Sequence, residues 1–302
     1  MLQGILPINK PQNVTSHDVV NRVRRILWIR RVGHTGTLDP IATGVLVLCV
    51  GEATRLAEFL SVHDKVYRTR IRLGITTDTL DRTGSVVSTT DASHLRREEV
   101  SRVLPSFTGC IKQVPPMISA RRHHGTRLYT LARAGYEVPR EAREVSIARL
   151  DLLAFEPGAH PAVDLEVACS AGTYIRSLAA DLGAALGVGG MMEELVRTRV
   201  GAVKLEDCCT LEEVQEAKAS GRLGELLRTA TWVMGDWPRI TVTPREAELL
   251  RYGRPLLRSV TDKDLPQGLV LVLDGNGGIV AVARSDGREV RPTKVFGVDS
   301  GA

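Results

Sequence analysis

The hydrophobic and polar positions of this chain follow two different periods, which alternate without a regular order. Residues 65–73 alternate strictly, with Tyr67 on the apolar face and three arginines on the other face, which predicts a strand. After Ser16, valine and leucine recur at i, i+3 and i+4 spacing, which predicts a helix that has Ser16 as its N-cap. Because the strand and helix patterns do not form repeated βαβ units, we predict an α+β fold.

Further elements are predicted on both sides of a boundary at Trp237-Pro238. Before it, the patterns predict strands at residues 5–9, 45–50, 147–155 and 163–169. They also predict helices at residues 53–60, 95–104 and 175–186, the last of which ends at the glycine-rich stretch 187–190. After the boundary, a small β-rich domain is predicted from a helix at 244–252 and strands around 268–273, 279–283 and 289–296.

The composition is that of an ordinary globular protein, with 43% hydrophobic residues, 25% charged residues and a mean hydropathy of −0.03. These values exclude a disordered, collagen-like or coiled-coil chain. No apolar run approaches the ~20 residues of a membrane span, and the N-terminus lacks the features of a signal peptide. We therefore expect a cytoplasmic protein. Its five cysteines have no CxxC spacing, so we expect reduced, mostly buried thiols and no zinc site.

Basic residues exceed acidic ones by five, and 33 of the 40 are arginine. The planar guanidinium suits phosphates and stacked bases, although a codon bias would also enrich arginine. Residues 19–38 contain five arginines and no acid, which favours either a polyphosphate backbone or a solvated helix face. The arginines of residues 65–73 form either a solvated sheet surface or a track for phosphates. Residues 115–149, also rich in arginine, form either a surface insertion or an arm that contacts RNA.

The loop at residues 33–46, GHTGTLDPIATGVL, carries the strongest candidate for chemistry. Its glycines at 33, 36 and 44 permit backbone conformations closed to other residues. Pro40 biases Asp39 towards an extended conformation, so the carboxylate projects from a rigid loop. Asp39 is therefore a candidate catalytic group, and the alternative is a simple Asp-Pro turn. A nucleotide-triphosphate loop does not fit, because no GK[ST] follows the glycines.

This loop and several other motifs resemble the TruB family of tRNA pseudouridine synthases. The resemblance includes KPQNVTS at 10–16, DKVYR at 64–68, RLG at 72–74, VPPM at 114–117, GTYIR at 172–176 and GGMMEEL at 189–195. The motifs occur in the family's order over residues 4–201, which a chance match does not produce. The resemblance therefore favours the catalytic interpretation of Asp39 over the turn.

The resemblance implies roles for three residues at the reacting centre. Asp39 matches the catalytic aspartate that attacks the target nucleoside covalently, and Arg176 matches the arginine that pairs with it. Tyr67 matches the tyrosine that stacks on the extruded uracil. Elementary chemistry agrees, because an ionised carboxylate is a nucleophile and a neighbouring arginine keeps it charged in an apolar pocket. Stacking on an aromatic ring contributes roughly 1–3 kcal/mol per base. Without the resemblance, core packing would be the simpler interpretation of both Tyr67 and Tyr174.

The remaining matched residues are expected to bind or support the substrate. By resemblance, His34 helps to hold the RNA loop with its target base turned out. Tyr174 and Leu195 match further residues of the pocket. Lys10 and Pro11 match a motif that packs behind the site, and we place Lys10 among the residues that bind substrate.

The resemblance also implies the architecture and the activity. We expect a mixed, mostly antiparallel sheet with flanking helices, formed by a catalytic domain over 1–237 with an RNA-contacting insertion at 110–150. A PUA-like RNA-binding domain would cover 238–302 and grip the acceptor end. The implied reaction isomerises the uridine at position 55 in the TΨC loop of tRNA, with no cofactor or metal. Because the first motif begins close to Met1, we expect a monomer without an obligatory protein partner. The alternatives are a guide-RNA-dependent synthase and a tRNA-folding chaperone without catalysis.

Some positions depart from the family pattern or invite a second interpretation. Asn13 stands where the family usually has glycine, and asparagine tolerates the left-handed conformation. Ile118 replaces a usual tyrosine and Arg122 a usual lysine, which puts a contact with the RNA arm in doubt. Asp78 and Asp81 could hold a metal, but two carboxylates at this spacing more often cap a turn.

Overall fold

The computed structural model describes residues 3–119, 122–123, 125–133, 135–136, 138–235, 237–257 and 265–297. Its strands are β1 (Gly4–Lys10), β2 (Val32–His34), β3 (Thr43–Val50), β4 (Lys65–Leu73), β5 (Ile75–Thr77), β6 (Val86–Thr89), β7 (Gly109–Gln113), β8 (Arg122–His123), β9 (Thr126–Arg127), β10 (Arg143–Glu156), β11 (Ala162–Cys169), β12 (Gly190–Val200), β13 (Val203–Lys204), β14 (Arg239–Thr241), β15 (Leu256–Leu257), β16 (Gly268–Leu273), β17 (Ile279–Ser285) and β18 (Glu289–Val295). Its helices are α1 (Ser16–Leu27), α2 (Ala57–Ser61), α3 (Arg97–Val103), α4 (Leu128–Arg133), α5 (Ile175–Ala185), α6 (Leu211–Ala219), α7 (Ala230–Val233) and α8 (Pro244–Arg251).

One large mixed sheet organises the molecule, in the order β1-β3-β12-β4-β11-β10-β7. Strands β3 and β12 are parallel, and the other neighbours along this path are antiparallel. The predicted α+β architecture with a mixed, mostly antiparallel sheet is therefore confirmed. The strand patterns of β1, β3, β4 and β11 predicted their positions to within one or two residues.

The strand β12, which lies in the middle of this sheet, was not predicted. Its pairing with β4 shifts register between Met192 and Glu194 and again between Arg197 and Arg199. Each irregularity moves the following side chains to the other face, so the period of two that identifies a strand is interrupted twice. The missing pattern therefore follows from the geometry of the strand.

The three arginines of β4 face away from the apolar side of the sheet and bind carboxylates of other strands or loops. The pairs include Arg68 with Glu166, Arg70 with Glu156 and Arg72 with Glu193. Such pairs at the surface contribute roughly 0–1 kcal/mol each. These pairs favour the interpretation as a solvated sheet surface over a phosphate track, because acids of the chain itself bind these guanidinium groups.

The predicted β-rich C-terminal region forms a second sheet within the described residues, in the order β14-β16-β17-β18-β15. This sheet packs against the first one. Leu271, Val282 and Phe296 belong to the same apolar cluster as Val45 and Val47 of β3. Burial of shared apolar surface therefore fixes the C-terminal sheet on the face of β3 that points away from α1.

Helix α1 begins one residue earlier than predicted, because Thr15 and not Ser16 is its N-cap. The Thr15 hydroxyl accepts a hydrogen bond from the Asp18 amide (3.0 Å), and the Asp18 carboxylate accepts one from the Thr15 amide (2.9 Å). This reciprocal arrangement is a capping box. In the sequence, a hydroxyl residue at 15 is followed by an acid three residues later. This signal distinguishes Thr15 from Ser16 as the N-cap of α1.

The arginine-rich region between β7 and β10 contains the short strands β8 and β9 and helix α4. Arg121 and His124, which the sequence analysis counted with this region, lie outside the described residues. All five cysteines are free thiols, and Cys49, Cys169 and Cys209 are buried, as predicted. Within the described residues, no helix has the length and apolar character needed to cross a membrane.

Candidate active site

Asp39 and Arg176, which are 137 positions apart in the chain, form a two-pronged ion pair. Arg176 Nε lies 2.9 Å from Asp39 Oδ2, and Arg176 Nη2 donates to Asp39 Oδ1 at 3.0 Å. The arginine lies in the first turn of α5 and is only 3% exposed. The Asp39 side chain remains 32% exposed. The structure therefore brings these two predicted residues together, with the carboxylate still accessible.

Arg176 is held in place by groups from two other segments, the turn at residues 79–81 and residue 118. Its Nη2 donates to the Ile118 carbonyl (2.8 Å) and its Nη1 to the Thr79 carbonyl (3.3 Å). Its Nε also lies 3.8 Å from the carboxylate of Asp81. These contacts fix the planar guanidinium in the one orientation that presents Nε and Nη2 to Asp39.

Asp81 has two roles, of which the sequence analysis identified one. Its Oδ1 accepts hydrogen bonds from the amide of Thr83 and the hydroxyl of Thr79 (both 2.9 Å), so it caps the predicted turn. Its Oδ2 faces Arg176, as described above. Asp78 caps the same turn through the Ser85 amide (2.9 Å). Within the described residues, no three His, Cys, Asp or Glu side chains are placed to hold a metal ion.

The ionisation of Asp39 depends on opposing effects. Burial raises the pKa of the Asp39 carboxyl above its usual value, and the nearby Asp81 carboxylate adds to this. The Arg176 guanidinium acts in the other direction and lowers the pKa. A carboxylate that is poorly solvated but paired with a fixed cation stays available as a nucleophile.

Arg197 on β12 supports the loop that carries Asp39. It is 2% exposed and donates from Nε to the Val45 carbonyl at 2.7 Å. Its two terminal nitrogens donate to the carbonyls of Gly36 (3.1 Å) and Thr37 (3.3 Å). Three carbonyls from one loop and its following strand are thus held by one planar group. Arg197 was not identified from the sequence, because an arginine between Val196 and Thr198, with Arg199 close by, is typical of the solvated face of a strand.

The loop at residues 33–46 contains three glycines, and the close approach of β12 requires one of them. Gly44 has a φ of +100°, and a Cβ there would lie 2.2 Å from the Arg197 carbonyl oxygen. Among the glycines at 33, 36 and 44, Gly44 is the one with a positive φ. The conformational freedom that all three glycines permit is thus used as a positive φ at Gly44.

Lys10 supports the same loop from beneath and is fully buried. Its Nζ donates to the carbonyls of Val14 (2.7 Å), Pro11 (2.9 Å) and Pro40 (3.2 Å). Burial lowers the pKa of Lys10 to about 8, although the negative charge of Asp39 raises it. An ammonium that is enclosed by three carbonyls is not available to an RNA. The expectation that Lys10 binds substrate is therefore corrected to a positioning role.

Two further residues hold the loop from the side of α1. The Ser16 hydroxyl is not the N-cap that the sequence predicted. It accepts a hydrogen bond from the Leu38 amide (2.8 Å) and donates one to the Leu38 carbonyl (3.1 Å). The amide of Asn13 donates to the Pro40 carbonyl (2.8 Å). Asn13 has a φ of +65°, so the expected left-handed conformation at this position is confirmed.

Tyr67 on β4 and Leu195 on the neighbouring strand β12 belong to the apolar cluster that includes residues of the Asp39 loop. Both are buried, and they belong to one cluster with Leu38, Ile41 and Ala42 of the loop. Burial raises the pKa of the Tyr67 phenol, so it is neutral at physiological pH. The sheet thus presents an aromatic ring and an aliphatic side chain next to the carboxylate.

Tyr174 directly precedes α5, and its backbone is fixed by Gln113 on β7. The Gln113 side chain accepts from the Tyr174 amide (2.7 Å) and donates to its carbonyl (3.0 Å). Tyr174 and Gln113 line a cavity of about 350 Å³ together with Arg143 and Gly172. Gln113 is nearly fully buried and was not identified from the sequence.

His34 ends β2, at the entrance of the Asp39 loop, and is half-buried. Burial lowers the pKa of its imidazole below the usual value. At neutral pH the ring is therefore uncharged, and it can offer hydrogen bonds but no charge to a phosphate. Its Nδ1 has no hydrogen-bond partner in the part of the chain that is described.

We expect Arg197→Lys to lower kcat by about 10- to 100-fold with little change in KM, because misplacement of a catalytic group costs about this much. A lysine keeps the charge but cannot reach three carbonyls in a plane. The matched control is Arg199→Lys on the same strand, where the side chain is exposed. Equal kcat values in the two variants would show that Arg197 does not position the loop.

We expect Asp81→Asn to shift the acid limb of the kcat/KM profile to lower pH. Asp81 raises the pKa of Asp39, so loss of its charge lets Asp39 ionise at lower pH. At the pH optimum, kcat falls about tenfold, because Arg176 loses a charged partner that orients it. Asp78→Asn, in the same turn but bonded to the Ser85 amide, is the control. An acid limb that moves to higher pH would contradict this electrostatic coupling.

Family models and known relatives match this chain along most of its length. Residues 24–175 match the TruB family pseudouridylate synthase (N terminal domain), and residues 176–232 match the tRNA pseudouridylate synthase B C-terminal domain. The chain is 51% identical over 252 residues to tRNA pseudouridine synthase B of Symbiobacterium thermophilum, and the alignment covers 83% of this chain and 82% of that protein. It is 40% identical over 306 residues to tRNA pseudouridine synthase B of Geobacter sulfurreducens, and this alignment covers 98% of this chain and 100% of that protein.

Solved structures share the fold of this chain. A Cbf5-Nop10-Gar1 complex contains a chain that superimposes with a TM-score of 0.75 and 26% identity, over 97% of this chain and 85% of that one. A chain in an H/ACA RNP bound to a substrate RNA containing 2′-deoxyuridine has a TM-score of 0.74 at 24% identity, which supports the fold. With matched models over residues 24–232 and relatives along nearly the whole length, this chain belongs to the TruB family of pseudouridine synthases.

Proposed function

We propose that this protein isomerises the uridine at position 55 of the tRNA TΨC loop to pseudouridine. The observation that supports this best is the ion pair of Asp39 with Arg176, in which a partly exposed carboxylate is fixed on a rigid loop. Family membership supports the reaction class, isomerisation of uridine in tRNA. The enzyme is thus an isomerase, since the product has the same atoms as the substrate.

The proposed reaction exchanges one glycosidic bond for another. The Asp39 carboxylate attacks either C1′ of the ribose or C6 of the uracil, and a covalent intermediate forms. The bond from C1′ to N1 breaks, the uracil turns, and a bond from C1′ to C5 forms. The bond from Asp39 to C1′ or C6 breaks and returns the free carboxylate. The proton on C5 is lost and N1 gains a proton, so atoms and electrons balance without an oxidant or reductant.

The uridine must leave its stack before Asp39 reaches it. We propose that Tyr67 stacks on the extruded uracil and that Leu195 and Tyr174 complete the pocket. The apolar cluster around Tyr67 and Leu195 supports this, because it offers a flat and weakly solvated surface beside the carboxylate. His34, neutral at the entrance, would hold the RNA loop by hydrogen bonds.

The proposal extends to the parts of the chain that bind the rest of the tRNA. Residues 1–237 would form the catalytic domain, with residues 110–150 as the arm on the RNA. Residues 238–302 would form a PUA-like domain on the acceptor end, which the separate C-terminal sheet supports. Ile118 contacts Arg176 through its carbonyl, so its departure from the family pattern changes a side chain and not this bond. We propose that the enzyme acts in the cytoplasm as a monomer.

The test is tritium release from a tRNA transcript labelled at C5 of uracil, with the purified protein alone. We expect release of one tritium per tRNA, because only C5 of the target loses its hydrogen. A transcript with cytidine in place of the target uridine is the control. Binding of tRNA without release would contradict the proposal and favour a chaperone. Release only after addition of a guide RNA would favour a guide-dependent synthase.

A further inference from the structure

We infer that Trp28 and the arginines around it form a second RNA contact, in which the indole stacks on an unpaired base away from the target uridine. This inference rests on the proposed function, because the ligand is the same tRNA. Trp28 is 90% exposed, more than any other large apolar side chain in the described residues. A tryptophan so placed in water is unusual unless it meets a partner.

The backbone at Trp28 makes this residue type still less expected. Trp28 ends α1 in the left-handed conformation, with a φ of +61° and a ψ of +33°. Its amide donates to the Arg24 carbonyl and so caps the helix. Glycine or asparagine is the usual residue at such a cap, because a larger side chain is strained there. No apolar cluster within the described residues includes Trp28, so packing does not explain the tryptophan.

The charges around Trp28 indicate what the partner is. Residues 19–38 contain no acid, and Trp28 lies in the middle of this segment. Three of its arginines are exposed and form no ion pair within the described residues: Arg22, Arg25 and Arg30. Arg25 lies in the last turn of α1, three positions before Trp28. An exposed aromatic ring in a segment with exposed arginines fits a nucleotide, whose base stacks and whose phosphate is neutralised.

The position of Trp28 separates this contact from the catalytic one. Ser16, at the start of α1, is hydrogen-bonded to Leu38 of the catalytic loop. Helix α1 then runs for 12 residues, which corresponds to about 18 Å between that end and Trp28. A uridine that is bound at Asp39 cannot reach this distance. The base on Trp28 therefore belongs to another part of the tRNA.

Three substitutions test the stacking, each with full-length unmodified tRNA. We expect Trp28→Ala to raise KM and weaken binding by about tenfold, with kcat at saturating tRNA unchanged. Trp28→Phe retains most of the affinity, because a phenyl ring still stacks. Trp28→Gly relieves the left-handed strain, so it unfolds at the same or a higher temperature than the wild type while binding tRNA as weakly as Trp28→Ala.

Salt and fluorescence distinguish the base contact from phosphate contacts. Trp28→Ala leaves the slope of log K against log salt unchanged, whereas Arg25→Gln reduces it by about 1. We expect tRNA binding to quench the fluorescence of Trp28. This fluorescence is the part of the wild-type signal that is missing in Trp28→Phe. Wild-type affinity in Trp28→Ala, or no quenching, overturns the inference. Failure of the wild type to release tritium would overturn the proposed function instead, and the binding data on Trp28 would still stand.

Discussion

Replacing Asp39 with asparagine is expected to abolish isomerisation while tRNA binding is retained. The amide has the same shape as the carboxylate and keeps the loop in place, but it is not a nucleophile. Loss of a group that forms the covalent intermediate lowers the rate by at least about 10⁴-fold. Tritium release under single-turnover conditions measures the rate, and filter binding measures the affinity for tRNA.

Asp91→Asn is the matched control for this substitution. Asp91 is exposed and its carboxylate accepts a hydrogen bond from the Ser93 amide (2.8 Å), far along the chain from the catalytic loop. We expect wild-type rates in this variant. If Asp39→Asn turned over within tenfold of the wild type, the nucleophile would be another residue, and the assignment of this site would fail.

Replacing Arg176 with glutamine is expected to move the acid limb of the kcat/KM profile to higher pH. The guanidinium lowers the pKa of Asp39 against the effects of burial and of Asp81. Without it the pKa rises further, more of the carboxyl is protonated at neutral pH, and the protonated acid does not attack. Because the guanidinium also fixes the geometry of Asp39, the loss at pH 7 is about 10²-fold or more. The deficit becomes smaller as the pH is raised.

Arg176→Lys separates charge from geometry in this pair. Lysine keeps a positive charge, so the acid limb moves less than in the glutamine variant, but it cannot form the two-pronged contact. Arg72→Gln is the control, since Arg72 binds Glu193 in a partly exposed ion pair on the face of β4 that is opposite to Tyr67. If the acid limb of the kcat/KM profile lay at the same pH in Arg176→Gln and in the wild type, Arg176 would have no electrostatic effect on Asp39.

The arrangement around Asp39 explains why these two effects are the largest. The Asp39 carboxylate touches one fixed cation directly, whereas the other buried cations bind the backbone of its loop. Lys10 and Arg197 bind carbonyls of the loop. Removal of either would displace Asp39, and Lys10 lowers the pKa of Asp39 less than Arg176 does, so removal of Arg176 has the larger effect on protonation as well as on position.

Local patterns in the sequence determined much of the fold and the centre of the site. Strands β3, β4 and β11 were predictable because their apolar positions continue without interruption, and α8 and the C-terminal strands for the same reason. Asp39, with its proline and its basic surroundings, was a candidate from signals within a few residues of it, and the resemblance to the TruB family favoured it over a simple turn. Thr15 could have been recognised as the N-cap by the same kind of local signal, from Asp18.

Only the tertiary structure decided which side chains support the catalytic loop. Lys10, Ser16 and Arg197 are polar residues that local patterns place at caps or on surfaces, yet all three are buried. Each is satisfied by backbone groups of one irregular loop, and Arg197 comes to it from more than 150 positions away. A buried polar group is stable only where such partners meet it, and those partners are defined by the packing of β12 against β3. The register shifts that bring β12 there also removed the pattern by which the strand could have been predicted.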